Sequence, residues 1–183
     1  MKNSILKSIL MFFVIVTISS CSDDSSDFII PVPEPITEDT WKLNDYNFWR
    51  ASSVQTSTTY INGDPFTQVN IDSNISNDNA SFKTCNLILW FNTSTEGNYT
   101  SKSVNTLVSM TTQKFMNIKC LVTNAAGSGA TYESTDTNNT IVVTKVDNKF
   151  IVTASEPITL TKTYDDGLPN APSTIIFKCD KVR

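Results

Sequence analysis

The chain has 183 residues, 39% hydrophobic and only 17% charged, with a net charge of −4 and no histidine. The missing histidine excludes Ser-His-Asp and Cys-His catalysis and every His-ligated metal site, and no basic patch points to nucleic acid. Much of the remainder is Ser, Thr and Asn, which suits an extracytoplasmic β protein better than a helical bundle, where Glu, Lys, Ala and Leu would dominate.

The chain opens with a basic, acid-free stretch from Met1 to Lys7, carrying Lys2 and Lys7. An unbroken apolar run, Ile9 to Val16, follows. It is too short for a spanning helix, which needs roughly 20 apolar residues; a positive start and a short apolar core make a secretory signal. The run leads into Ile18-Ser19-Ser20-Cys21, with an apolar residue three positions before the cysteine and two small residues directly before it. This stretch resembles the cleavage and lipidation site of a bacterial lipoprotein, and the resemblance covers residues 1–21. It implies that residues 1–20 are removed, that the Cys21 thiol is alkylated with diacylglycerol, and that the new amino terminus is acylated. Several acyl chains anchor stably where one is marginal. Cleavage there leaves 163 residues, enough for one domain with its own core.

Ser22, Asp23 and Asp24 follow the cysteine, then Ser25-Ser26-Asp27. They resemble the acidic export signal of surface lipoproteins in the Bacteroidota, which implies a place on the outer face of the outer membrane. Pro31-Val32-Pro33-Glu34-Pro35 then reads as an extended spacer, because proline restricts its predecessor to extended backbone. Residues 21–36 are thus expected to be a lipidated tether and residues 37–183 a single β domain. Four acids and no base lie between Cys21 and Pro35, whereas from Ile36 onward 14 acids face 12 bases, a net of −2. The acidic excess belongs to the tether and not to a substrate cleft.

Beyond the tether, period-two patterns dominate and no helical window stands out. Thr40 to Arg50 is rich in aromatics, and Val54 to Ile61 and Phe66 to Ile71 flank Asn62-Gly63, a hairpin signal. Ser81 to Phe91 is the best core strand, with Cys85, Leu87, Leu89 and Phe91 on one face and Phe82, Ile88 and Trp90 on the other. With both faces apolar it is expected to be central. Tyr99 to Val104, Lys114 to Thr123, Thr131 to Ser134, Thr140 to Val146, Lys149 to Ser155, Pro157 to Thr163 and Ser173 to Val182 continue the pattern. The expectation is an all-β antiparallel sandwich of about ten strands, or a barrel.

Two resemblances bear on that choice. Ala130-Thr131-Tyr132-Glu133-Ser134 with Thr140 to Asp147, and Glu96 to Thr100 after a strong strand, resemble small β-sandwich domains of uncharacterised Bacteroidota lipoproteins. Asn139 stands where such families usually carry Gly. Asp39-Thr40-Trp41-Lys42-Leu43 resembles the opening of lipocalin-like lipoproteins, although it lacks their Gly two positions before the Trp; that resemblance implies a barrel with an apolar ligand in its mouth.

With Cys21 lipidated, Cys85, Cys120 and Cys179 remain. They are expected to supply one disulfide and a free thiol, or else three buried thiols. Trp41 and Trp49, flanked by Lys42 and Arg50, are the candidate platform for stacking on sugars, while Trp90 reads as structural. Glu96, Glu133 and Asp136 lie near turns, where surface acids are common, and the Asn/Asp loops at 72–79 and 165–166 read as turn chemistry and not as a metal site. No catalytic residue, cofactor or metal is expected. The expected function is a surface-anchored, non-catalytic binding module for a glycan or an envelope protein, or alternatively a carrier of an apolar small molecule.

Overall fold

The computed structural model describes residues 39–61, 63–74 and 82–183, the side chains of 57–61 excepted. All of them fall in the unit Pro35–Arg183. The signal segment, Cys21, Ser22, Asp23, Asp24 and the tether lie outside the described residues, as do Asn62 and most of the loop before Phe82.

The alternating pattern forms ten strands. In chain order these are β1 (Thr40–Leu43), β2 (Tyr46–Ile61), β3 (Asp64–Ser73), β4 (Thr84–Asn92) and β5 (Gly97–Ser101), then a short helix α1 (Val104–Ser109), then β6 (Phe115–Thr123), β7 (Gly129–Ser134), β8 (Thr140–Val146), β9 (Lys149–Asp166) and β10 (Thr174–Val182). Asp147 and Asn148, between β8 and β9, both have positive φ (49° and 63°), as a type I′ reversal requires at its two central positions. The all-β expectation holds. Among the described strands the pairing departs from a fully antiparallel scheme where β5 runs parallel to β6, and an isolated parallel bridge joins Gly129 to Gly167.

The sheet closes on itself. Pairing runs from β10 to β1, β2, β3, β4 and β6, then through β7 to β9 and back to β10. A second route from β6 to β9 passes through β5 and β8. Both routes depend on β9, whose 18 residues offer the first half to β8 and the second half to β7. Sequence reading divides this strand at Pro157. In the structure the chain runs through, because the register slips there: Cys179 faces Ala154 and Phe177 faces Ile158. Pro157 occupies the bulge, where its missing N–H removes no ladder bond. Of the two expected forms, sandwich and barrel, this circuit of pairings makes the sheet barrel-like.

Its interior is filled as a sandwich core would be. Cys85, Leu87, Leu89 and Phe91 of β4, with Met116, Ile118, Cys120 and Val122 of β6, point inward and are buried, on the faces the alternation assigned. Trp41, Phe48, Tyr99, Tyr132 and Phe177 join them in one cluster. Phe91 meets both Tyr99 and Phe150 edge-on, with ring centroids 5.3 and 5.2 Å apart, a geometry aromatic pairs prefer. The other face of β4 turns outward, where Trp90 rests 5.8 Å from the buried Phe66.

Helix α1 is the element that sequence reading missed. Six residues cannot sustain a helix alone, and a distant carboxylate holds this one. Ser103 caps it, its hydroxyl accepting from Thr106 N. Asp136, beyond β7, accepts from Ser103 N at 2.8 Å and from Thr106 Oγ1 at 2.7 Å. The Ser103 N–H, then the Thr106 hydroxyl, hold the Asp136 carboxyl below its usual 3.8. A folded-state value below the unfolded one means the contribution is complete above the unfolded value and is lost as pH falls through the folded one. Asp136→Ala is therefore expected to cost about 1 kcal/mol at neutral pH, a typical cap value. Urea melts of both proteins should show the difference shrinking as the pH drops below 3.8.

Candidate functional site

The pleat of β1 decides which groups can meet a ligand. Trp41 and Leu43 point in, and Thr40 and Lys42 point out. Trp41 is 1% exposed and stacks on Phe48 with centroids 5.8 Å apart and planes 16° apart. Its Nε1 donates to Cys85 Sγ at 3.3 Å, which satisfies a buried indole N–H. Trp41 is thus a core side chain and not half of a sugar platform, because the period of two sends it to the opposite face from Lys42. Trp49 faces outward at 37% exposure, opposite Thr40.

Around Trp49 the register assembles a polar face that the linear sequence keeps apart. One row runs from Trp49 through Thr40 to Asp180, and the next from Asn47 through Lys42 to Lys178. Lys42 and Lys178 are thus directly opposed across the strands, and both are exposed. Neither ammonium has an ion-pair partner among the described residues. Like charges directly opposed are destabilising. A depression of about 240 Å³ opens beside them, bordered by Thr40, Asn47, Ser155 and Asp180 and reaching down to Ala154 and Cys179. It lies where β9 bulges away from β10 after Ala154.

Arg50, the other expected flank of the platform, is engaged elsewhere. Its Nη2 pairs with Asp39 Oδ2 at 2.9 Å, and Arg183 Nε approaches the same oxygen at 3.5 Å. Arg183 N donates to Asp39 Oδ1 at 2.9 Å, and Arg50 Nη1 donates to Arg183 O at 3.1 Å. This clamp ties the start of the barrel to its last residue.

Cys85, Cys120 and Cys179 are free and buried, the second of the two arrangements expected of them. Cys85 stands opposite Val122 and Cys120 opposite Leu87, so the two are diagonal neighbours. Diagonal positions lie roughly 7–8 Å apart, beyond the usual reach of a disulfide. Cys179 Sγ donates to Val152 O at 3.6 Å on the other side of the barrel. Burial pushes the Cys179 thiol up to about 12 and raises that of Cys120 as well, so both stay protonated and unreactive.

The acids near turns have structural partners. Glu96 accepts from Lys145 N at 2.6 Å, Glu133 pairs with Lys119 at 2.9 Å, and Asp136 caps α1. Asp72 accepts from Ser52 and Asn86, and Asp165 from Lys162 and Leu168 N. Among the described residues no group of three or more His, Cys, Asp or Glu side chains is placed to hold a metal ion. Lys178 and Asp180 escaped sequence reading. Alternation with Ile175, Phe177 and Cys179 marks them as outward, but nothing in the chain pairs them with Lys42.

Comparisons with protein-family models, with curated proteins and with solved structures find no match.

Two outcomes follow from this geometry. Lys178→Gln removes the opposed charge and should stabilise the protein by about 0.2–1 kcal/mol at low ionic strength. Thermal melts in rising salt should show the gain fading as screening sets in. Separately, a maleimide probe should leave Cys85, Cys120 and Cys179 unmodified in the folded protein and label all three in denaturant, with no mobility change on reduction.

Proposed function

We propose that the chain is a lipid-anchored, non-catalytic binding module of the outer membrane, displayed at the cell surface, which takes a glycan on the outward face of β2, β1 and β10. The observation that carries this reading is the outward Trp49 beside two opposed, unpaired lysines and a shallow depression. An aromatic plate supplies apolar stacking for a sugar ring. Thr40, Asn47 and Asp180 supply donors and acceptors for its hydroxyls.

The location rests on Cys21 and the Ser22-Asp23-Asp24 stretch behind it. Lipid supplies the anchor, the Pro-rich tether supplies reach, and the barrel presents its outer face. A neighbouring envelope protein would meet the same face through Trp49 and the lysines.

The carrier reading is weaker although the barrel is closed. A carrier needs an apolar space inside, and here Trp41, Phe48, Phe91, Tyr132 and Phe177 occupy the interior. An enzymatic reading finds little support, since glycoside hydrolysis needs two convergent carboxylates and Glu96, Glu133 and Asp136 each serve a separate contact.

Two measurements test the proposal. Trp49→Ala should weaken binding on a glycan array by about tenfold, the worth of one aromatic contact of roughly 1.4 kcal/mol, with the melting point little changed. Unchanged binding would remove Trp49 from the site. Cys21→Ala should move the protein out of the membrane fraction of its native cell, and retention there would end the lipoprotein reading.

A further inference from the structure

We propose that the ligand of this face is an acidic sugar, a pyranose bearing a carboxylate or sulfate, whose anionic group sits between Lys42 and Lys178. This rests on the preceding reading of the face as a glycan-binding surface, and adds the charge of the ligand.

Three observations converge on it. The first is the lysine pair. Register places the two residues directly opposite each other on adjacent strands, both exposed, without an acid within ion-pair distance among the described residues. Two ammoniums so placed repel in the empty site. An anion between them removes that repulsion and gains two charge-assisted hydrogen bonds, so the free protein holds a charge arrangement that an anionic ligand relieves.

Size is the second. A depression of about 240 Å³ falls below the roughly 300–1,000 Å³ of drug-sized sites, and suits one pyranose ring with its substituent. It does not suit a long acyl chain or a folded peptide.

The third is the order of groups along the face. Asp180 sits one row beyond Lys178, facing Thr40, with Trp49 next in that row. Its carboxylate repels a second anion at that end but accepts hydroxyl protons. A sugar therefore lies with its acid toward Lys42 and Lys178 and its hydroxyl edge toward Asp180, Thr40 and Asn47. The next ring of an oligosaccharide then reaches Trp49. A simple phosphate or sulfate ion uses the lysines alone and leaves the rest of the face idle.

The test uses the full chain in detergent micelles and isothermal titration with three probes. Trigalacturonate carries carboxylates, its methyl ester has the same skeleton without charge, and a carrageenan tetrasaccharide carries sulfate alone. The expected result is that at least one acidic probe binds about tenfold or more tighter than the ester, as charge-assisted contacts imply, with affinity falling as salt rises. Lys42→Gln/Lys178→Gln should abolish that preference while leaving the ester unaffected, and melting of the double variant at or above the wild-type temperature shows that it folds. Whichever acid is preferred identifies the anion. Equal binding of acid and ester overturns the acidic-sugar proposal, and so does acid binding that the double variant leaves intact; in either case weakening by Trp49→Ala keeps the binding face standing. Failure of both acids to bind also overturns the proposal, and the Trp49→Ala comparison on a neutral glycan array then decides the face by itself.

Discussion

The closure of the sheet through β9 is the constraint on which the rest depends. One strand of 18 residues pairs with β10 on one edge and with β8 and β7 in succession on the other. Closure gives the paired stretches of the ring a neighbour on each side, although β2 beyond Trp49 pairs with β3 alone among the described strands. It also separates inside from outside. Once the ring is shut, every odd-even alternation becomes a decision between core and solvent, and one residue of slippage would exchange the two sets.

That separation sorts the aromatics. Trp41, Phe48, Phe91, Tyr132 and Phe177 are enclosed and hold the layers together, whereas Trp49, adjacent in sequence to Phe48, is left outside. The interior gains apolar burial worth roughly 25 cal/mol per Å², with these rings packed in one cluster. The bulge at Ser155–Pro157 has a related consequence. It keeps Pro157 in the strand and opens the depression that lies next to Lys178. The Asp39–Arg50–Arg183 clamp holds β1 between β2 and β10, which fixes the spacing of the two lysine-bearing strands.

Much of the fold was legible because it depends on a local period. The inward faces of β4, β6 and β10 follow from alternation alone, while the Asp147-Asn148 reversal depends on the ease with which Asp and Asn take positive φ. What escaped had non-local causes. Helix α1 has a cap at Ser103 but owes its persistence to Asp136, 33 residues away. The unity of β9 was hidden by Pro157, whose cost vanishes only when the partner strand slips. The choice between one disulfide and three buried thiols among Cys85, Cys120 and Cys179 was settled by register, since a count of cysteines says nothing about whether two of them face each other or stand on a diagonal.

By itself the sequence determined an all-β body, its main core residues and the absence of histidine chemistry. These depend on composition and on neighbours a few residues apart, where side-chain period and backbone preference act directly. Only the tertiary structure decided that the sheet is a filled, closed barrel, that Trp41 belongs to the core while Trp49 does not, and that Lys42 meets Lys178 from the other end of the chain. Those outcomes depend on which strands pair and in what register. Pairing between residues more than 130 positions apart is selected by the total burial of the closed core, a quantity that no local stretch contains.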